Sequence, residues 1–288
     1  MLAHAMKYPI RVMCGVLDVS MSGYYAWRRR KPSPQQVRRE KLTDAVQSFH
    51  VDSKGAYGYR KIHKDIVDTF NEPCCLETVR RIMKSKGLRS TRGRKFVITT
   101  DSNHTMPVAE NILDRDFEAD APNKKWVTDI TYIPTHQGWT YLATVMDLYA
   151  RRIVGWATSK HIDTTLVSAA LHKAIKKRQP GKGLLHHSDR GSQYASKEYR
   201  KILGLFKMKC SMSRKGNCWD NAPMERFFSS LKSEWLRDKI FPSLETATTA
   251  IFEYIETFYN PKRRHAALGY QSPINYENNS KTQQTQAA

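Results

Sequence analysis

Acidic residues are scarce in this 288-residue chain: 27 Asp and Glu stand against 48 Lys and Arg, a formal net charge of +21. Cysteine is scarce too. Its five thiols (Cys14, Cys74, Cys75, Cys210, Cys218) make an odd count without a Cys-x-x-Cys pair, and Cys74 and Cys75 are adjacent. Neither a disulfide framework nor a zinc site is expected, and idle thiols suit a reducing compartment. No apolar run reaches the roughly eighteen residues that a membrane-spanning helix needs. The first apolar stretch is broken by Lys7 and Arg11 and has no cleavage-site pattern, so no signal peptide is expected. Heptads are not sustained. With 40% hydrophobic, 26% charged and 10% aromatic residues, the chain is neither disordered nor low in complexity.

What is abundant is positive charge, and it is uneven. Residues 1–95 carry 21 basic and 8 acidic side chains, a net of +13; the remaining 193 residues carry 27 and 19, a net of +8. Such a surplus points to a polyanionic partner, with nucleic acid the leading candidate. Basic runs coincide with helical patterns at Arg28–Lys31, Arg80-Arg81 and 89–95.

Ile10–Leu17 and Ser22–Arg30 read as two short helices about Asp18-Val19-Ser20, a partial helix-turn-helix or an ordinary helical hairpin. Residues 35–50 form a further helical pattern. Arg60–Phe70 places Ile62, Ile66, Val67 and Phe70 on one face, and Leu76–Lys86 turns Val79, Ile82 and Met83 inward before Gly87. Arg80, Arg81 and Lys84 lie on the outer face of this second helix, where they would meet a DNA major groove or simply solvent. Residues 88–122 have linker-like composition.

Composition then changes. Trp126–Ile133, Trp139–Leu148 and Arg151–Thr158 are rich in β-branched and aromatic residues and predict an antiparallel meander. Thr164–Arg178 predicts a helix, Leu184–Ser188 a strand, Lys197–Leu205 a helix and Lys207–Ser211 a strand. Helices over Asn221–Leu236 and Leu244–Tyr259 follow. The order is that of an α/β mixed sheet with flanking helices, as in the ribonuclease-H-like fold.

Three acids stand out. Asp129 interrupts a β-branched strand, where an unpaired carboxylate is costly and a cation would compensate. Asp189 follows a strand end, the usual ligand position in an α/β sheet. Glu225 lies early in a helix; 35 residues separate it from Asp189. Hard oxygen donors of this kind suit Mg²⁺ or Mn²⁺, and two such ions are a standard means of phosphodiester displacement. Lys232, seven residues beyond Glu225, returns to the same helical face.

Three segments carry a resemblance: Trp126-Val-Thr-Asp129-Ile-Thr-Tyr132; His187-Ser-Asp189-Arg-Gly-Ser-Gln-Tyr194; and Ser213 to Glu234, containing Asp220-Asn-Ala-Pro-Met-Glu225 and Lys232. With Tyr259-Asn-Pro-Lys-Arg-Arg-His265 and the upstream Gly58-Tyr-Arg-Lys-Ile, they resemble the second-reading-frame product of IS-three-type bacterial insertion-sequence transposases, from about residue 10 to residue 277. The resemblance implies a retroviral-integrase-like catalytic core with Asp129, Asp189 and Glu225 as metal-binding catalytic triad and two Mg²⁺ (or Mn²⁺) ions. It implies cleavage and strand transfer of double-stranded DNA at the element's inverted-repeat ends, into target DNA, with no covalent protein–DNA intermediate. Lys232 is expected to contact terminal DNA. A homo-oligomer on DNA, a first-frame partner protein and a bacterial cytoplasmic, nucleoid-associated location are also implied. A nuclease without strand transfer and a catalytically idle DNA-binding regulator are the alternatives.

The expected organisation is an N-terminal helical region (1–50), a helix-turn-helix-like DNA-binding domain (51–95), a linker (96–122), the catalytic core with its C-terminal helix (123–277) and a disordered tail (278–288). Asp147 is expected to pair with Arg151 or Arg152, and one of Asp220 and Asn221 to cap the Glu225 helix. Asn221 and His187 are candidate active-site supports; His186 and His187 must point to opposite strand faces. Arg263 and Arg264 follow a helix end and would serve either its dipole or DNA. Trp126 and Trp156 are expected to pack, and Trp219 to pack or to stack on a base.

Overall fold

The computed structural model describes residues 1–71, 73–91, 106–237 and 239–286, which fall into two compact units, Met1–Ser48 and Phe49–Ala288. The basic run over 89–95 lies partly, and the linker segment 96–105 wholly, outside the described residues.

In the first unit α1 (Ile10–Val16) and α2 (Met21–Arg29) flank the expected break. Ser20 caps α2, its Oγ accepting from Gly23 N at 3.0 Å. The helix α3 (Pro34–Asp52) runs on into the second unit.

The second unit opens with α4 (Tyr59–Phe70) and α5 (Leu76–Ser85), packed through the buried Ile62, Ile66, Val79, Ile82 and Met83. The α5 stripe is the one read from the sequence; of the α4 stripe Ile62 and Ile66 are buried and Val67 partly so, whereas Phe70, near the end of the helix, is 52% exposed. Gly87 (φ +67°) follows α5 in the left-handed conformation that glycine tolerates best.

A five-stranded sheet follows, ordered β3-β2-β1-β4-β5. β1 (Lys125–Thr135), β2 (Gly138–Asp147) and β3 (Arg152–Ser159) form the antiparallel meander; β4 (Leu185–Ser188) runs parallel to β1, and β5 (Lys209–Met212) parallel to β4. The crossovers carry α6 (Thr164–Arg178), a single turn α7 (Ser192–Ala195) and α8 (Lys197–Leu205). One core lies between the sheet and these helices, from Trp126, Val145 and Val154 to Leu171, Tyr199 and Leu203. Gly155 permits the contact of β3 with α6: a Cβ there would lie 2.3 Å from the Ala170 carbonyl oxygen. This mixed sheet with flanking helices is the ribonuclease-H-like integrase-core layout that the strand order predicted.

α9 (Ala222–Ser230) and α10 (Leu244–Phe252) also pack on the sheet. Each was expected to run straight on as an α-helix. Instead each continues as a wider π-helical segment, Leu231–Leu236 and Glu253–Tyr259. These turns direct Leu231, Glu234, Tyr254, Phe258 and Tyr259 inward. Ring centroids lie 4.8 Å apart for Phe227–Tyr259 and 5.3 Å for Trp235–Phe258.

Two boundaries differ from expectation. Part of the linker is built into the sheet edge: the amides of Ile112 and Leu113 donate to Ser211 Oγ, and Met212 N donates to the Glu110 carbonyl. The tail expected from residue 278 instead continues a helix, α11 (Pro273–Gln286).

Candidate active site

Strand register brings the first two acids together. Val127 of β1 pairs with His187 of β4 in parallel. Asp129 and Asp189 each follow two residues later, so they occupy matching positions on adjacent chains, where neighbouring strands run about 4.8 Å apart. Glu225 arrives from the first turn of α9, which packs on β1. All three are partly buried. Burial pushes Asp129 well above the usual carboxylate range; the charges of Asp189 and Glu225 push it further, while the Ile130 amide and the Lys232 ammonium act the other way. These are carboxylates within electrostatic reach of one another, held in a wall that disfavours negative charge.

Backbone donors fix two of them. Asp129 Oδ1 accepts from Ile130 N at 2.8 Å, and Asp189 Oδ1 accepts from Gly191 N at 2.9 Å. A Cβ on Gly191 would stand 3.1 Å from that same Asp189 oxygen, a tight contact, and 2.8 Å from Gln193 Oε1, the movable end of a side chain, so a larger residue here would press on the Asp189 carboxylate. Arg190 Nε donates to the Ser213 carbonyl at 2.6 Å and ties this loop to the chain leading to α9.

The donor set, all carboxylate oxygen, suits a hard divalent cation. Thr144, directly opposite Asp129 in the β1–β2 ladder, has a buried Oγ1 with no hydrogen-bond partner among the described residues, and so does Asn221 at Oδ1. Buried polar atoms left over beside clustered acids are what a bound ion with its waters would satisfy. As placed, no three His, Cys, Asp or Glu side chains among the described residues converge tightly enough to enclose an ion.

Lys232 stands at the same place. Its Nζ lies 4.4 Å from the centroid of the Tyr132 ring. Burial lowers its pKa and the Asp129 charge raises it. Tyr132 and Gly191 are thus parts of the site to which sequence reasoning gave no role; their membership of the same short motifs as Asp129 and Asp189 was the available signal.

Asn221 tethers α9 to β1: its Nδ2 donates to the Thr128 carbonyl at 3.1 Å, one residue before Asp129. Neither Asn221 nor Asp220 caps α9 with its side chain. Asp220 instead accepts from Arg214 (2.7 and 2.9 Å), Arg115 (2.9 Å) and Asn111 (3.0 Å), and the Arg214 guanidinium holds it below the usual carboxylate range. Three long polar side chains outbid a helix N-terminus for this carboxylate.

His187, a candidate support, is a core residue. It is fully buried, with Nδ1 2.8 Å from Ser211 Oγ and Nε2 3.1 Å from Ser213 Oγ. Ser211 Oγ already accepts from two amides, so its hydrogen goes to Nδ1, and the neutral ring donates from Nε2. His186 points to the other face, against Tyr199 Oη at 3.1 Å, as strand alternation requires.

Three charges expected elsewhere are held inside the protein. Arg263 is buried in a two-pronged pair with Glu234, both contacts 2.6 Å, so its guanidinium is already matched by a carboxylate. Arg264 is half-buried and paired with Asp65 and Asp68. Asp147 pairs with Arg178 (3.2 Å), not with Arg151 or Arg152, and accepts from the amides of Asn123 and Tyr149. In each case a partner distant in sequence lies nearer than solvent. Arg80 and Arg81 remain exposed and share Glu77; Lys84 is exposed on the same helix. α5 is separate from the acid cluster. Trp126 is fully buried and Trp156 partly so, whereas Trp219 is exposed.

Models of the integrase core domain match residues 119–218 and 206–273, and a model of an HTH-like domain matches residues 37–96. The chain is 42% identical over 261 residues to the insertion element IS600 uncharacterized 31 kDa protein of Shigella sonnei, covering 91% of this chain and 96% of the relative. It is 39% identical over 277 residues to transposase InsF for insertion sequence IS3A of Escherichia coli (strain K12), covering 96% of each. Among solved structures it is similar to the HTLV-2 integrase catalytic core domain in complex with magnesium (trimeric form), with TM-score 0.43 and 16% identity, covering 55% of this chain and 99% of that one.

Proposed function

The chain belongs to the insertion-sequence transposase family of the InsF proteins, and from that membership we propose a division of labour among its residues. The reaction is cleavage of double-stranded DNA at the element's inverted-repeat ends and transfer of the freed strand to target DNA, with no covalent protein–DNA intermediate. Asp129, Asp189 and Glu225 are the catalytic acids and hold two Mg²⁺ (or Mn²⁺) ions. Such ions, when bound, lower the pKa of an attacking water or 3′-hydroxyl and stabilise the leaving 3′-oxygen. The observation that carries this reading is that Asp129 lies two residues beyond Val127 and Asp189 two residues beyond its parallel partner His187, just past the end of β4, with the charges of Asp189 and Glu225 both acting on Asp129.

The chain's other residues bind and orient. Lys232 offers a positive charge to a DNA phosphate beside the acids, steadied by the Tyr132 ring. Asn221 keeps the start of α9, and with it Glu225, in register with Asp129. Gly191 leaves the Asp189 carboxylate free of steric conflict. Arg80, Arg81 and Lys84 on α5, with the basic N-terminal third, grip the duplex. Assembly on DNA is as a homo-oligomer, joined by a first-frame partner protein.

A strand-transfer assay with labelled inverted-repeat ends and a target duplex tests this. Joined products that vanish with Asp189→Asn and on chelation are expected. Hydrolysis without joining would mean a nuclease, and end binding without either reaction would mean a regulator. Activity retained by Asp189→Asn, or in excess chelator, would overturn the assignment.

A further inference from the structure

We propose that a cavity beneath α9, separate from the carboxylate cluster, binds a phosphate-bearing ligand of about nucleotide size. The cavity has a volume of about 450 Å³, within the range of small-molecule sites. α9 contributes Ala222, Pro223, Arg226, Phe227 and Ser230 to its wall. Those positions recur at helical spacing on one face, and Glu225 lies off that face. The remaining wall comes from α4, the β2 end and the segment after Tyr259.

Charge is the distinguishing feature. Lys61, Arg151, Arg226, Arg263 and Arg264 line the cavity, and no Asp or Glu does. Arg263 and Arg264 already have carboxylate partners behind the wall. Lys61, Arg151 and Arg226 have none in ion-pair contact among the described residues. Lys61 Nζ instead lies 4.8 Å from the Tyr57 ring centroid, and Arg151 donates to the Phe117 carbonyl at 3.3 Å. Burial, then the Arg263 charge, lowers Lys61 to about 8; burial and Arg226 lower Arg151.

Cations brought together in a partly desolvated cavity repel unless an anion joins them. A phosphate group satisfies several such donors at once, and guanidinium groups match its geometry. Phe117, partly exposed at the wall, offers apolar surface against which a base can rest, while Phe227 and Tyr259 are buried behind it. A free nucleotide and a nucleic-acid strand both carry such a phosphate; the chemistry is shared.

The test uses the full chain in chelator, so that no metal-dependent reaction contributes, and at high salt to suppress diffuse attraction. Binding of dAMP is followed by calorimetry and that of a short single-stranded oligonucleotide by fluorescence anisotropy, for wild type, Lys61→Met, Arg226→Gln and the control Lys201→Gln on α8. Losing one charged hydrogen bond weakens affinity about tenfold or more. That loss is expected in both cavity variants and not in the control. If it appears with dAMP, the cavity takes a free nucleotide; if only with the oligonucleotide, it takes a strand phosphate. If neither probe binds more weakly to Arg226→Gln, whose side chain is exposed at the rim, the proposal is wrong, whatever the strand-transfer assay reports.

Discussion

The buried Glu234–Arg263 pair offers the sharpest quantitative test of the fold that holds α9 in place. Glu234 sits in the π-helical continuation of α9, and Arg263 follows the second π-helical segment. Their side chains are 10% and 11% exposed. Arg263 donates twice to Glu234 at 2.6 Å and once to Ser230 Oγ at 3.0 Å, and Tyr254 Oη donates to Glu234 at 3.3 Å. Glu234→Gln keeps the shape and removes the charge, leaving a buried guanidinium uncompensated. Breaking such a pair costs about 3–5 kcal/mol, against about 0–1 kcal/mol for an exposed pair. In urea, at a slope near 3 kcal/mol per molar, the midpoint should fall by about 1–1.7 M. Trp235, stacked on Phe258, provides a fluorescence signal at the site itself. The double variant Glu234→Leu/Arg263→Met removes both charges and keeps apolar bulk, so it should be destabilised by much less than the sum of the single changes. A single change costing under about 1 kcal/mol, or a strictly additive double, would refute the claim that this pair is desolvated and coupled.

Other outcomes follow from the same structure. Asp129→Asn, Asp189→Asn and Glu225→Gln should each lower strand cleavage by at least about a thousandfold, a loss of about 4 kcal/mol in barrier terms, while DNA binding persists. Adding Mg²⁺ should raise the melting temperature of the wild type but not of Asp129→Asn, because the acids lose their mutual repulsion only when an ion binds; an equal shift in both would count against the site. Gly155→Ala should cost about 1–3 kcal/mol or more by overpacking α6 against β3, read by urea unfolding. His186 and His187 are buried and pushed down to about 3 and about 4, whereas the unfolded chain protonates each near 6.5. The unfolded state therefore binds more protons between those values. The stability of the neutral rings is complete above about pH 6.5 and lost as pH falls toward about 4, by up to about 1.4 kcal/mol per pH unit for each histidine. Unfolding curves over that range check this, and a stability independent of pH would contradict the buried neutral assignment.

Much of the architecture was legible because it is local. Runs rich in β-branched and aromatic residues marked β1 to β3, apolar stripes at helical spacing marked α4, α5 and α6, and Ser20 and Gly87 marked an end of α2 and α5. The π-helical turns were not legible, since their cause is packing of Phe227, Tyr254 and Tyr259 between segments.

For the site, the chain by itself determined which acids stand out, because an Asp within a β-branched strand conflicts with local preference and an Asp just past a strand end occupies the usual ligand position. The order of motifs around them determined the family. Tertiary structure alone decided which charges are available. Arg263 meets Glu234 across 29 residues, Arg264 meets Asp65 across 199, and Asp147 meets Arg178 across 31. The net charge of +21 counts all of these cations alike, and helical periodicity reports only the face a residue occupies. Whether a cation is spent inside the protein or left for phosphate depends on through-space distance and on water excluded by distant segments, and only the folded chain sets those.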